Sequence, residues 1–569
     1  MRQLTALDAQ FLNVETTTTT AHVAGLAILD SGDGAVNRAS LAELLAERVH
    51  LSPALSLRLA EVPFGLDHPY WVADPDFNVD NHLYELTLPS PGSDWQLAEA
   101  VAEIHARRLD RAHPLWEMHL IHGLGGGRVA VYTKVHHAAI DGISGAETLA
   151  TLLDLTPDAR QDASTVQNAP DHQETQDASA GPAPTPHDDS PSPDSRTAVS
   201  VNPRTSACME KVGRGRQEGA VAARREAVVR ARQEALELAR RKAPKVEARR
   251  PGLIGMLAGA AVRTATHPML AVQSVVRAAG DLDAIPLAAA MPGAKLIAKA
   301  ARMVSGDRHQ RPELPNLAVP RTPFNGPISA RRHLSFGSLS LKDVKNVARA
   351  NSMSVNDVVM TLCASALRSW LRERDALPEG PLIVAVPVAV RTAGAKDKVG
   401  NQISAMVAPM PTHVQDPVER LQAVGATMGK AKRRFAVAPA TWLSELCSLL
   451  PAPVTSLATP AIFRLAGMAF PPINLIISNV PGPQFPLYLC GGRVLSYYPF
   501  SVLTDMSGGL NITCFSYDGM LDFGIVACPE RMDDVWGLLG HLRTALDELL
   551  DDRVSDEFRD GIVIDLVAG

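Results

Sequence analysis

The sequence predicts a mixed α/β protein of two ordered lobes separated by a long linker. Three observations predict it. Compact apolar runs alternate with 3.6-period helical patterns towards both ends of the chain, the stretch between them is too polar to build a core, and no internal repeat of fixed period is present. The 569 residues are 46% hydrophobic and 20% charged, an ordinary globular composition that can bury a sizeable core. The 55 Lys and Arg against 61 Asp and Glu leave a formal net charge of −6, which argues against nucleic acid as a partner. The six cysteines include no Cys-x-x-Cys pair, against a zinc cluster or disulfide framework and for a reducing compartment. The opening MRQLTALDAQFL lacks the apolar run of a signal peptide, and five prolines between Leu465 and Gly492 exclude a spanning helix there. The expectation is a cytoplasmic protein that at most rests on a membrane surface.

Residues 1–157 form the expected first lobe. β-branched and apolar runs predict strands at Val23–Leu29, Leu83–Leu88, Met118–Ile121 and Val129–Val135, and helical periodicity predicts helices at Leu41–Val49, Trp95–Arg108 and Ile143–Leu155. The glycine run Gly123–Gly127 lacks the Gly-Lys-Ser/Thr ending of a phosphate loop and leads into a strand, so it reads as a hairpin turn. Residues 158–205 are dominated by Asp, Ser, Pro, Thr and Gln and cannot bury enough apolar surface to offset the entropy of ordering, so disorder is expected. Residues 206–320 form a connector. Met209–Arg250 carries thirteen Lys and Arg against six Glu and reads either as a solvated helix or as a cationic strip on anionic lipid. Pro251–Val304 is Ala- and Gly-rich, suiting amphipathic helices or a loose connector equally. The second lobe, 321–569, shows helical patterns at Leu341–Arg349, Ser354–Arg374 and Met532–Leu550. Strands are predicted at Leu382–Val390, Ile403–Pro409, Ile473–Ser478, Leu510–Tyr517 and Leu521–Val526.

One local pattern carries chemistry: His136-His137-Ala138-Ala139-Ile140-Asp141-Gly142. It follows a strong strand and precedes a helix, and the ends of strands are where sites on α/β folds collect. A histidine is the natural general base near neutral pH, Asp141 can restrain the turn, and Gly142 allows close backbone approach. Taken alone, the pair equally suits a strand end capped by two histidines without chemistry. No Gly-x-Ser-x-Gly elbow, His-Glu-x-x-His pair or Gly-x-Gly-x-x-Gly turn is present, so a serine nucleophile, a zinc site and a dinucleotide cofactor lack their usual sequence signs. His119 and His122 read as ordinary strand histidines. A base without nucleophile or metal suggests one-step transfer of an activated acyl group.

The His-His-x-x-x-Asp-Gly element resembles that of the chloramphenicol acetyltransferase-like superfamily. Five further blocks resemble the bacterial wax ester synthase/acyl-CoA:diacylglycerol acyltransferase family. They are Leu7–Leu12 followed by His22-Val23, Pro114-Leu115-Trp116-Glu117, Thr322–Ser329, Val355-Asn356-Asp357 and Ser478-Asn479-Val480-Pro481-Gly482-Pro483. They run through both lobes in order and skip only the linker.

The resemblance implies two chloramphenicol acetyltransferase-like lobes, each a mixed sheet flanked by helices, with the site in a channel between them. It implies that His137 deprotonates a diacylglycerol or long-chain alcohol as the oxygen attacks acyl-CoA, that His136 shapes the site, and that no acyl-enzyme or cofactor intervenes. It further implies that Asp141 pairs with Arg391 of the second lobe, ahead of Gly400-Asn401, and that Gly142 supports the turn. Trp116, Asn356, Asn401, Ser478 and Asn479 become candidate substrate contacts. Packing for Pro114–Glu117, helix capping for Asn356-Asp357 and a rigid loop for Ser478–Pro483 are the alternatives. The expected partners are acyl-CoA, a lipid hydroxyl and a peripheral membrane or lipid-droplet surface, reached through the basic helix, Pro251–Val304 or Val437–Phe470. A condensation-type transferase using carrier-protein thioesters and a non-catalytic lipid-binding homologue are the competing functions. Two departures from the family pattern stand out: the acidic insertion at 158–205, and Ser56 where an arginine would be expected. A double-mutant cycle on Asp141 and Arg391 is expected to give a coupling energy of about 0.5–3 kcal/mol, and additive losses would remove the bridge.

Overall fold

The computed structural model describes residues 2–30, 35–140, 151–157, 318–389, 403–437, 451–469 and 472–562, with a few single residues between them, Gly145, Thr148, Leu149 and Asn401 included. The expected disordered stretch, the basic helix and nearly all of the Ala- and Gly-rich connector lie outside the described residues, as do Asp141, Gly142 and Arg391.

The chain begins with β1 (Arg2–Gln3) and α1 (Ala6–Asn13), whose start is fixed by a capping box between Thr5 and Asp8. There follow β2 (His22–Asp30), α2 (Arg38–Arg48), β3 (Leu57–Ala60), β4 (Tyr70–Ala73) and β5 (Leu83–Thr87). Next come α3 (Asp94–Ala106), β6 (Trp116–His122) and β7 (Arg128–His136). Strands β6 and β7 are antiparallel, so Gly123–Gly127 is the turn of a hairpin, with Gly123, Gly126 and Gly127 all at positive φ. The expected helix at Ile143–Leu155 is helical at each of its described residues from Gly145 to Leu152.

In the C-terminal half, β8 (His333–Ser340) leads into α4 (Leu341–Ala350) and α5 (Val355–Arg372). Then come β9 (Leu382–Ala389), β10 (Ile403–Met410), α6 (Pro417–Val437) and α7 (Ala452–Ala469). The chain continues through β11 (Leu475–Pro481), β12 (Tyr488–Leu489), β13 (Gly492–Phe500), β14 (Leu510–Tyr517), β15 (Met520–Ala527) and α8 (Val535–Ile562). Helix α5 is capped by Ser354 and Asp357 and is buried around most of its circumference, which explains its unbroken run of apolar residues from Val358 to Leu362 but for Thr361.

Two six-stranded mixed sheets result. One has the order β10-β9-β11-β14-β15-β8, with β11 parallel to both β9 and β14. The other has the order β12-β13-β2-β7-β6-β5, with β5 and β6 parallel. A small third sheet, β1-β4-β3, flanks the entrance of the chain.

The two lobes are not two separate runs of sequence. Strands β12 and β13 come from the C-terminal half yet complete the N-terminal sheet, β13 pairing antiparallel with β2 from Arg493↔Asp30 to Phe500↔Ala24. One core cluster likewise draws on both halves, placing Leu97, Val101 and Tyr132 beside Phe336, Phe500 and Val526. The described residues of 1–157 and 243–569 accordingly form one compact unit. A Cβ at Gly524 would strike the Pro499 carbonyl, so glycine there lets β15 lie directly against β13.

Asp522 bridges the two sheets at this crossing. It lies on β15 with no solvent exposure, accepts the hydroxyl of Ser338 at 2.6 Å, and accepts the backbone N–H of Tyr497 on β13 at 2.8 Å. Burial raises its carboxyl to about 6 despite these two donors. The folded state therefore holds the proton more tightly than the unfolded chain does. The stabilisation from protonated Asp522 is complete below about pH 4 and is lost as pH rises through about 6, amounting to about 3 kcal/mol. Thermal or denaturant unfolding of wild type and Asp522→Asn, compared from pH 4 to 7, is expected to show wild type losing about 3 kcal/mol relative to the variant. A difference independent of pH would refute the assignment.

Candidate active site

Strand β7 ends at His136 and turns sharply, and this turn holds both histidines. The N–H of His136 donates to Leu115 O at 2.9 Å, that of His137 to Ala21 O at 2.8 Å, and that of Ala139 to His136 O at 2.9 Å. Two neighbouring histidines are thereby given different surroundings.

His136 is 1% exposed. Its Nδ1 accepts the N–H of Ala138 at 3.0 Å, which fixes the ring proton on Nε2, and Nε2 lies 3.4 Å from Glu15 Oε1. Glu15 also accepts the N–H of Ala21 at 3.1 Å and the Arg111 guanidinium at 2.8 Å. Burial works to raise the Glu15 carboxyl, but the contacts with His136, Arg111 and Ala21 outweigh it and bring it down to about 2. A second buried set of rings lies behind His136. His22, paired with His136 across the sheet, donates from Nε2 to His105 O at 2.7 Å, and His105 Nδ1 meets the Tyr132 hydroxyl at 2.7 Å. Burial drives the imidazole of His22 well down, and lowers that of His105 to about 3, so both rings are neutral at physiological pH.

His137 is half-buried and faces α1, where the ring of Phe11 lies flat on its imidazole with 4.0 Å between centroids and 3° between planes. Its backbone is held from the second lobe. Asn401 donates from Nδ2 to His137 O at 2.7 Å and to Asp8 Oδ1 at 2.7 Å, while its own N–H donates to the same Asp8 oxygen at 2.8 Å. Asp8 is fully buried, and its other oxygen accepts the N–H of Thr5 at 3.2 Å.

The remaining expected residues fall into two groups. Trp116 is 1% exposed, its indole N–H donates to Leu55 O at 2.8 Å, and its ring stacks on His82 at 4.4 Å, so its side chain serves the core. Asn356 and Asn479 form a pair of their own, with Asn479 Nδ2 donating to Asn356 Oδ1 at 3.2 Å and Ser478 preceding Asn479 on β11. The cap of α5 is supplied by Ser354 and Asp357, leaving the Asn356 side chain for Asn479. The Thr322–Ser329 block is a clasp. Asn325 Nδ2 donates to the carbonyls of Ile473 and Asn474 at 3.3 Å each, and Asn474 Oδ1 in turn accepts the N–H of Ile383 at 2.8 Å on β9. His119 and His122 face Glu117 at 3.2 Å and Glu85 at 2.6 Å on the sheet. Among the described residues no three His, Cys, Asp or Glu side chains are grouped to hold a metal.

Sequence reasoning gave no role to Glu15, Phe11 or Arg111. Asp8 was discoverable as the fourth residue of a Thr-x-x-Asp capping box, whereas nothing in the local pattern of Glu15 reports a partner 121 residues further on.

Residues 4–281 and 285–359 match the wax ester synthase/diacylglycerol acyltransferase catalytic domain, and residues 399–550 match the C-terminal domain of the same enzymes. The chain belongs to this family. It is an acyltransferase. A Mycobacterium tuberculosis protein named "Probable diacyglycerol O-acyltransferase" is 29% identical over 544 residues, 95% of this chain and 97% of that protein. Another Mycobacterium tuberculosis relative is 32% identical over 557 residues, spanning 97% of this chain and 90% of its own length. The structure of the wax ester synthase/diacylglycerol acyltransferase from Marinobacter aquaeolei VT8 superimposes with a TM-score of 0.58 at 25% identity, covering 96% of this chain and 98% of that one. The fold and the two-lobed arrangement are those of this family.

Replacing Asn401 by Ala removes both donors to Asp8 and His137 that its side chain supplies. The expected result is a fall in kcat of about 10–100-fold from a misplaced His137, with a stability loss of about 1–3 kcal/mol for the acceptor left short of a donor on buried Asp8. Steady-state kinetics beside denaturant unfolding separates the two effects. Unchanged kcat would show that the tie does not position the histidine.

Proposed function

We propose that the protein transfers a long-chain acyl group from acyl-CoA to the hydroxyl of diacylglycerol, of a long-chain alcohol, or of both, with His137 as the general base. The observation that carries this reading is the contrast between the two histidines. His136 is sealed against Glu15 with Nδ1 already engaged, whereas His137 is half-buried at the strand end beside a flat aromatic wall.

In the reaction, His137 accepts the hydroxyl proton as the oxygen bonds to the thioester carbonyl carbon. The tetrahedral intermediate collapses by breaking the C–S bond, and the departing thiolate takes the proton back as CoA thiol. No acyl-enzyme forms and no cofactor enters, acyl-CoA being a co-substrate. Asp141, Arg391 and Gly142 are assigned to support of the turn. Asn356, Ser478 and Asn479 are assigned to substrate contact. The support is that Asn479 engages the Asn356 side chain while the helix cap is left to Ser354 and Asp357. Both named relatives, "Probable diacyglycerol O-acyltransferase" and the Marinobacter enzyme, are consistent with a lipid hydroxyl as acceptor. Such acceptors live in membranes and lipid droplets, so the protein attaches peripherally to one of these. No helix among the described residues is long and apolar enough to cross a membrane.

CoA-thiol release from palmitoyl-CoA, with dioleoylglycerol and hexadecanol offered separately, tests the reading. Wild type is expected to release CoA only with an acceptor present, and His137→Ala to be slower by about 10²–10⁴-fold. Equal release by the variant, or release without acceptor, would refute the base assignment and the direct transfer respectively.

A further inference from the structure

We infer that the outward face of α7, together with Phe64, is the surface through which the protein docks on lipid and through which its hydroxyl acceptor arrives. The second half of this inference rests on the acyl-transfer reading above.

Helix α7 has one side committed to the protein and one side that is not. Thr455 and Thr459 are buried, Thr459 Oγ1 donates to Gln10 Oε1 at 2.8 Å, and a Cβ on Gly467 would strike the Asp505 backbone. On the other side Val454, Leu457, Ile462, Leu465 and Met468 are exposed, Leu457 at 82% and Leu465 at 65%. Their successive spacings of three, five, three and three residues place them on one broad face of the helix, within an arc of about 140° at 100° per residue. Phe64, on a short turn packed against α7, is 93% exposed and is held at a φ of 59°, a backbone conformation that a bulky residue adopts only at a cost. An aromatic ring kept in water by a strained turn, beside an unpartnered apolar stripe, is a surface built to meet something apolar.

Charge identifies the occupant as lipid. Residues 452–469 contain no acidic side chain, and their single charge, Arg464, is exposed alongside the stripe. Glu61, the nearest carboxylate preceding Phe64 in sequence, faces Arg111 at 4.0 Å. An apolar stripe edged by cationic charge suits an interface with anionic headgroups, the apolar side chains entering the acyl boundary while the guanidinium stays at headgroup level. Symmetric pairing with a second copy would instead bring two Arg464 side chains to one patch. The surface is also continuous with the catalytic centre. Its inner side bonds Gln10 of α1, and the next residue, Phe11, lies on the His137 ring. A hydroxyl lipid leaving the interface beside α7 therefore reaches the helix that walls the base.

Sedimentation of the full-length chain with phosphatidylcholine vesicles, with and without phosphatidylglycerol, tests the docking. Wild type should bind, and bind more tightly with phosphatidylglycerol present. The pair Leu457→Gln and Leu465→Gln, and separately Phe64→Ser, should weaken binding on the order of ten-fold, while Ala461→Trp on the same face should tighten it. Transfer to dioleoylglycerol in vesicles should fall with binding, and transfer to a short-chain alcohol dissolved in water should not change. Wild type that stays in the supernatant, or variants that sediment like wild type, would overturn the proposal. So would a dimer that the Leu457 and Leu465 substitutions dissociate, without vesicle binding. Absence of transfer to any acceptor would overturn the acyl-transfer reading, with docking still decided by sedimentation.

Discussion

Asp8 ties three distant stretches of chain together through two buried oxygens. One oxygen receives both donors of Asn401 and the other receives the N–H that opens α1. A buried carboxylate tolerates desolvation only when its lone pairs are filled, so α1, the segment before β10 and the histidine turn must all be in place for any one of them to be stable there. Through Asn401 the same group reaches the carbonyl of His137, and through α1 it sets Phe11 on the His137 ring. The placement of His137 is thus a consequence of satisfying one buried carboxylate.

The two histidines illustrate how a strand end divides labour. Alternation along β7 points the His136 side chain into the protein, where Glu15, Arg111 and the Ala21 peptide complete a closed set of polar contacts. Once the chain leaves the strand, His137 is released from that alternation and turns to the α1 side. The Glu15 set also grips Ala21, whose carbonyl takes the His137 N–H. His136 is therefore linked to its neighbour through the backbone as well as by sequence.

Much of the sheet framework was legible in the sequence because it depends on local pattern. The strands around Val129–Val135, Leu382–Val390, Leu510–Tyr517 and Leu521–Val526 each fall within a residue or so of their observed limits, since buried β-branched runs have few other uses. Helix α1 and strand β13 were not foreseen. The former is only 8 residues long, and β13 is broken by Ser496 at a register shift and by Pro499, which obscures its periodicity. At the site, the histidine pair and Asn401 could be picked out by motif and resemblance. Glu15 and Arg111 could not, because what makes them matter is burial beside residues remote in sequence, which no window of neighbours reports.

The completion of the N-terminal sheet by β13 has a consequence for how the chain is made. Strand β2 has β7 on one side, and its other edge is covered only by residues 492–500. At translation rates of roughly 5–20 residues per second, that edge waits roughly twenty seconds to over a minute after β7 has left the ribosome. During that wait the first half of the molecule presents an unpaired apolar ladder, the feature that most readily recruits foreign strands. Dividing the gene between the two lobes would likewise leave the N-terminal fragment with this edge of β2 open.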